Sequence, residues 1–111
     1  MNGNHVLFNE IGIKLKEYFM FNGNQEGESK VYYESGNIMM ITNYINNKLE
    51  GRFITYNSLG ILSELYNFTN GQLNGDTKHY YPTGQLHIFR HYKNGKNDIC
   101  VTYYENGQIK K

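Results

Sequence analysis

Glycine returns along this chain at a fixed interval, and that interval constrains the fold more than any other feature of the sequence. One series falls at Gly12, Gly36, Gly60, Gly84 and Gly107, 24 residues apart until a last gap of 23. A second falls at Gly27, Gly51 and Gly75, again 24 apart, and its next slot holds Asp98 once a one-residue deletion near Lys96 is allowed. A third register lies between them: Asn22-Gly23, Asn46-Asn47, Asn70-Gly71 and Asn94-Gly95. Self-similarity at a period of two dozen residues marks a chain built from one repeated supersecondary unit. The punctuation predicts a single repeat domain over 1–111, with units at about 8–27, 28–51, 52–75, 76–98 and 99–111.

Each unit carries two turns. The first reads Tyr-Tyr-Glu-Ser-Gly at 32–36, Tyr-Tyr-Pro-Thr-Gly at 80–84 and Tyr-Tyr-Glu-Asn-Gly at 103–107. Pro82 suits the first corner of a type I turn, and the Gly two residues on suits the left-handed position that closes a three-residue hairpin loop. The second turn is the Asn-Gly series, a strong short-range hairpin signal. Asn47 stands where Gly is missing, and Asn tolerates positive φ better than most residues.

The segments between turns are short and apolar-rich, such as Ile38 to Tyr44, Leu62 to Phe68 and Leu86 to Tyr92. A three-residue loop places Tyr32 opposite Ile38, Tyr56 opposite Leu62, Tyr80 opposite Leu86 and Tyr103 opposite Ile109. Aromatic–aliphatic cross-strand pairs of this kind stabilise a sheet by roughly 0.2–1 kcal/mol each. Strict alternation puts a second apolar column, Ile41, Leu65 and Phe89, on the opposite face. In the first unit Phe8 replaces the Tyr, and Leu15 comes one residue later than Ile38, Leu62 and Leu86 do. Terminal repeats commonly depart from the consensus in this way.

Composition agrees. Eleven Tyr and six Phe stand beside one Pro, no Trp and no Ala, which favours hairpins over helices. The expected fold is all-β, with nine or ten short strands in tandem hairpins and essentially no helix.

Several function classes fall away on charge and chemistry. The formal net charge is +1. That gives no field to draw the chain to nucleic acid or an anionic membrane. The amino terminus lacks the basic patch and apolar run of a signal peptide, and the lone Cys100 forms no intrachain disulfide, so the default location is cytoplasmic. In the register above His79 faces His87, with His91 further along the same face. Two imidazoles about 13 Å apart along a strand do not chelate together, and no metal or cofactor is expected. Cys100 has no cationic neighbour in sequence and reads as a buried packing thiol. No spacing of carboxylates or nucleophiles suggests catalysis.

The phrases Asn70-Gly71-Gln72-Leu73-Asn74-Gly75 and Tyr80-Tyr81-Pro82-Thr83-Gly84-Gln85-Leu86 resemble the MORN repeat family, in particular the bacterial variant of YwqK-like antitoxins. Coverage runs from about Phe8 to Lys111. Ser29, Thr77 and Cys100 depart from the large aromatic common two residues after the second Gly, where Phe53 complies. The resemblance implies an elongated, curved antiparallel meander of hairpins, a single open sheet without a closed core, and a non-enzymatic binding role. It also implies a partner, a toxin by the antitoxin label. The expected site is the aromatic face carrying Tyr32, Tyr56, Tyr80 and Tyr103, or an edge strand, taking a protein partner or a second copy. The alternative is a self-associating or membrane-adjacent scaffold, with membrane lipid not expected as a ligand.

Overall fold

The computed structural model describes residues 2–110; Met1 and Lys111, the last residue of the expected fifth unit, lie outside the described residues. Both kinds of turn form as their residues dictate. In the Asn-Gly series both central residues are left-handed, from Asn22 (φ 50) and Gly23 (φ 81) to Asn94 (φ 50) and Gly95 (φ 83). Two positive φ angles in succession define the type I′ turn, whose twist matches that of the strands it joins. Asn47, at φ 68, takes the glycine's place without changing the turn. In the other series the loop closes on three residues: the Gly36 N–H donates to Tyr33 O (2.9 Å) and the Tyr33 N–H to Asn37 O (2.8 Å). The glycines of both expected series, 12, 36, 60, 84 and 107 with 27, 51 and 75, all have positive φ. So does Gly3, 24 residues before Gly27 and overlooked in the sequence pattern.

Between the turns run β1 (Gly3–Phe8), β2 (Lys14–Phe21), β3 (Asn24–Gln25), β4 (Gly27–Tyr32), β5 (Ile38–Ile45) and β6 (Lys48–Leu49). They continue as β7 (Gly51–Tyr56), β8 (Leu62–Thr69), β9 (Gln72–Leu73), β10 (Gly75–Tyr80), β11 (Leu86–Lys93) and β12 (Lys96–Thr102). All belong to one antiparallel sheet, ordered β1-β2-β4-β5-β7-β8-β10-β11-β12. The nine or ten strands expected become twelve because Glu26, Glu50 and Asn74 interrupt three strands just after the type I′ turn, splitting off β3, β6 and β9.

The cross-strand pairs fall as the loop length requires: Tyr32 with Ile38, Tyr56 with Leu62, Tyr80 with Leu86, and Tyr103 with Ile109. One residue further in, the register slips. Val31 pairs Met40, Thr55 pairs Glu64 and His79 pairs Ile88, leaving Met39, Ser63 and His87 as extra residues in bulges. Leu15 is the same bulge in the first hairpin, where Lys14 pairs Phe8. Two expectations are corrected here. His79 lies opposite Ile88, not His87. The column Ile41, Leu65 and Phe89 shares a face with Tyr32, Tyr56 and Tyr80, because an inserted residue reverses the alternation that follows it. The shared ladder runs Glu17–Lys30–Ile41–Ile54–Leu65–Lys78–Phe89–Val101.

Successive hairpins are tied through their type I′ turns. The Asn46 N–H donates to Glu26 Oε1 (2.9 Å), the Asn70 N–H to Glu50 Oε1 (2.7 Å) and the Asn94 N–H to Asn74 Oδ1 (3.2 Å). The series begins with the Asn22 N–H on Asn2 Oδ1 (2.6 Å). The next residue of each turn donates to the preceding hairpin's backbone: Asn47 to Gln25 O (3.1 Å), Gly71 to Leu49 O (2.9 Å), Gly95 to Leu73 O (2.8 Å). Asp98 stands 24 residues after Asn74, in the acceptor series, and lacks the positive φ of Gly27, Gly51 and Gly75. The deleted residue is therefore the glycine.

The sheet is one layer. The molecule measures 48 × 33 × 13 Å, and its radius of gyration of 16.1 Å exceeds the about 13 Å of a compact domain this long. Among the described residues no apolar side chain is fully buried; Ser29, Thr42 and Thr77 are. The register explains them. Ser29 pairs Thr42, and by the register Thr42 lies beside Phe53 and Thr77 beside Tyr66, so the rings cover their small neighbours. Cys100 is exposed, against expectation: β12 is the last strand in the sheet order, and beyond it the described return segment reaches only Thr102, through the Lys110 N–H (2.6 Å).

Two outcomes follow for stability. Gly60 has φ +87, and a Cβ built there meets nothing within 4 Å, so Gly60→Val tests backbone strain alone. It is expected to cost roughly 1–3 kcal/mol in urea unfolding, and Gly60→Asn distinctly less. Glu50→Ala removes the acceptor for the Asn70 N–H and is expected to cost about 0.5–1.5 kcal/mol, whereas Glu50→Gln keeps an acceptor and most of the stability.

Candidate functional site

The Tyr-Tyr pairs divide their labour. In two of them the second tyrosine is a strut: the Tyr33 hydroxyl donates to Tyr56 O and the Tyr81 hydroxyl to Tyr103 O, each at 2.8 Å. The first tyrosine holds the face. Tyr32, Tyr56, Tyr80 and Tyr103 occupy one register position in successive hairpins, half-buried, each against its aliphatic partner. Two strand spacings separate neighbours, about 9.6 Å. With the ladder through Ile41, Ile54, Leu65 and Phe89 alongside, they make a continuous apolar and aromatic stripe, with Lys30 and Lys78 set into it.

The stripe changes character at its amino-terminal end. The Tyr32 hydroxyl donates to Glu17, Lys14 Nζ stands 5.2 Å from the Tyr32 ring centroid, and Lys14 lies 3.5 Å from Glu17. The hydrogen bond from Tyr32 holds the Glu17 carboxyl below the usual range, and the same bond pushes the Tyr32 phenol up to about 12. Among the described residues Tyr32 is the one member of the four whose hydroxyl is hydrogen-bonded. Tyr56, Tyr80 and Tyr103 present an apolar ring and a polar tip, the form of side chain that anchors protein interfaces with few rotors to immobilise.

The opposite face carries a second aromatic cluster that sequence reasoning missed. The Phe53 and Tyr66 rings meet edge to face at 5.5 Å, and Phe68 lies 5.8 Å from Phe53 and 6.3 Å from Tyr66. Tyr66 also meets His79 edge-on at 5.5 Å. Burial pushes the Tyr66 phenol up to about 12, with the Glu64 charge adding to it. His79 Nδ1 is 3.5 Å from Glu64, yet burial outweighs that carboxylate and keeps the imidazole below its ordinary pKa. The other histidines go elsewhere: His87 stacks on Tyr81 at 4.1 Å, and His91 Nδ1 contacts Asp98 at 2.8 Å. Among the described residues no three His, Cys, Asp or Glu are grouped to hold a metal ion.

Comparison with known proteins fits this geometry. A family model described as "MORN repeat variant" matches residues 25–46, 73–94 and 99–111, just over half of the chain. The chain belongs to the MORN repeat variant family. The unmatched MORN hairpin between them has the same register, but Asn47 replaces a turn Gly and Asn57 the second Tyr. Asn57 still closes its loop, its Oδ1 accepting the N–H groups of Leu59 and Ile61. MORN repeats generally act as protein-interaction or membrane-binding modules rather than as enzymes. No curated protein matches the sequence. Among solved structures, the Glycosylation Associate Protein (Gap123) complex from Streptococcus agalactiae aligns at 16% identity and a TM-score of 0.48. The alignment covers 86% of this chain and 18% of that one, so the chain spans less than a fifth of that neighbour's length.

The two raised phenols make stability pH-dependent. Tyr32 and Tyr66 keep their protons in the fold to about 12, while an unfolded tyrosine releases its proton near about 10. Their contribution is whole below pH ~10 and lost as pH climbs towards ~12. The melting temperature is expected to fall across that window, and Tyr32→Phe with Tyr66→Phe to flatten the fall.

Proposed function

We propose that this chain is a non-enzymatic protein-binding module that takes its partner on the stripe of Tyr56, Tyr80 and Tyr103, with Tyr32 at its margin. One observation carries the reading: a 13 Å sheet with no buried apolar side chain among the described residues presents an aromatic and aliphatic stripe on one face, interrupted only by Lys30 and Lys78. Isolated exposed apolar residues are ordinary, but a contiguous stripe rimmed by polar residues is the usual mark of an interaction surface. A balanced charge supports a protein rather than nucleic acid as partner.

The finer form of the proposal is an antitoxin-like or immunity role, in which the partner is a toxin covered by this face. Its support is the resemblance to YwqK-like antitoxins. A cytoplasmic location belongs to the same reading, since the exposed, unpaired Cys100 is at ease in a reducing compartment.

The test starts from affinity purification out of the native host. A stoichiometric protein partner is expected, and Tyr80→Ala with Tyr103→Ala is expected to weaken its binding by about tenfold or more while the strand spectrum is kept. A partner that binds the double variant unchanged overturns the face assignment. Expression of the partner alone should arrest growth, and co-expression of this chain restore it; a harmless partner removes the antitoxin form only. If light scattering shows the chain pairing with itself and nothing else co-purifies, the scaffold reading replaces both.

A further inference from the structure

The aromatic cluster on the opposite face has the makings of a separate site. Phe53, Tyr66 and Phe68 do not stack. Their planes are inclined by 80° for Phe53 and Tyr66, 39° for Phe53 and Phe68, and 45° for Tyr66 and Phe68. Rings set at such angles form a corner, and all three are half-buried, leaving part of each ring open to a common space. That space is a cleft of ≈ 430 Å³, walled further by Met40 and Leu73. Its size lies within the usual range for small-ligand sites.

One carboxylate opens on this apolar cleft. Glu64 lines it and accepts the Thr55 hydroxyl at 3.2 Å. Among the described residues no Lys or Arg comes within 4.0 Å of it; its one basic neighbour at that distance is His79, whose imidazole burial holds below its ordinary pKa. Arg90 lies on the same face, one strand past Thr77 in the row of Tyr66, outside ion-pair distance of Glu64. A negative charge at the edge of three aromatic rings asks for a cation with an apolar body. Ring quadrupoles attract such a cation when it sits within ~6 Å of their centroids, and quaternary ammonium groups are recognised in this way.

We propose that the cleft bounded by Phe53, Tyr66, Phe68 and Glu64 binds an organic cation of the trimethylammonium type. A compact metal ion does not suit it, since one carboxylate supplies too few oxygen ligands. The site is on the face away from the tyrosine stripe, so it stands or falls independently of the protein-binding reading.

Titration of the 111-residue chain with choline, followed by nuclear magnetic resonance, tests it. Saturable shifts of the Phe53, Tyr66 and Phe68 ring protons are expected. The uncharged isostere 3,3-dimethylbutan-1-ol should bind roughly 3- to 30-fold more weakly, the ratio that a cation–ring attraction supplies. Glu64→Gln, which keeps an acceptor for Thr55, should weaken choline and leave the isostere unchanged; Phe53→Leu should weaken both. Retention on phosphatidylcholine vesicles but not phosphatidylglycerol vesicles assigns the cation to a lipid headgroup, and choline binding without retention assigns a soluble ligand. Absence of saturable shifts, equal binding of the isostere, or indifference to Glu64→Gln in a folded variant overturns the proposal.

Discussion

Everything in this molecule leans on backbone hydrogen bonds that pass from one hairpin to the next. A two-layer domain can tolerate a weak turn because a shared core holds its elements together. Here no apolar side chain among the described residues is fully buried, so each hairpin is kept in place by the ladder and by its neighbours. The type I′ turns carry a second, side-chain-assisted ladder, with donors at Asn22, Asn46, Asn70 and Asn94 and acceptors at Asn2, Glu26, Glu50 and Asn74. Its spacing equals the repeat. This linkage makes the architecture one-dimensional, each unit stabilising only those adjacent to it.

The same arrangement frees both faces for recognition. Bulges at Leu15, Met39, Ser63 and His87 turn the chain so that two apolar columns fall on one side. That side becomes the tyrosine stripe. The other side breaks the repeat where the sequence does: Phe53 and Tyr66 are large while Ser29, Thr42 and Thr77 along the same row are small. A regular scaffold thus carries one periodic surface and one local feature. The periodic surface suits an extended protein partner, and the local corner of rings suits a small cationic group.

Much of the fold was legible because turn chemistry is local. A glycine that must adopt positive φ, or an Asn-Gly pair that must reverse the chain, announces itself without reference to the rest of the molecule. The pairs of Tyr32, Tyr56, Tyr80 and Tyr103 with their aliphatic partners followed from loop length alone. The bulges did not, because Met39, Ser63 and His87 share no chemistry that marks an extra residue. Missing them placed Ile41, Leu65 and Phe89 on the wrong face and His79 opposite the wrong residue. Asp98 was set in a glycine slot because a deletion near a turn leaves two alignments open until the hydrogen-bond partners are known.

The spacing of glycines and asparagines was enough to specify the repeat, the hairpins and the four tyrosine pairs, since each depends on contacts within one hairpin. The distribution of side chains between the two faces needed the folded sheet, because one bulged residue inverts every residue after it. So did the corner formed by Phe53, Tyr66, Phe68 and Glu64, which joins two strands through ring angles. The exposure of Cys100 was a property of its place on an outer strand. Period and turn type are short-range quantities. Facing, burial and proximity across strands are set by register, and register is a property of the assembled sheet.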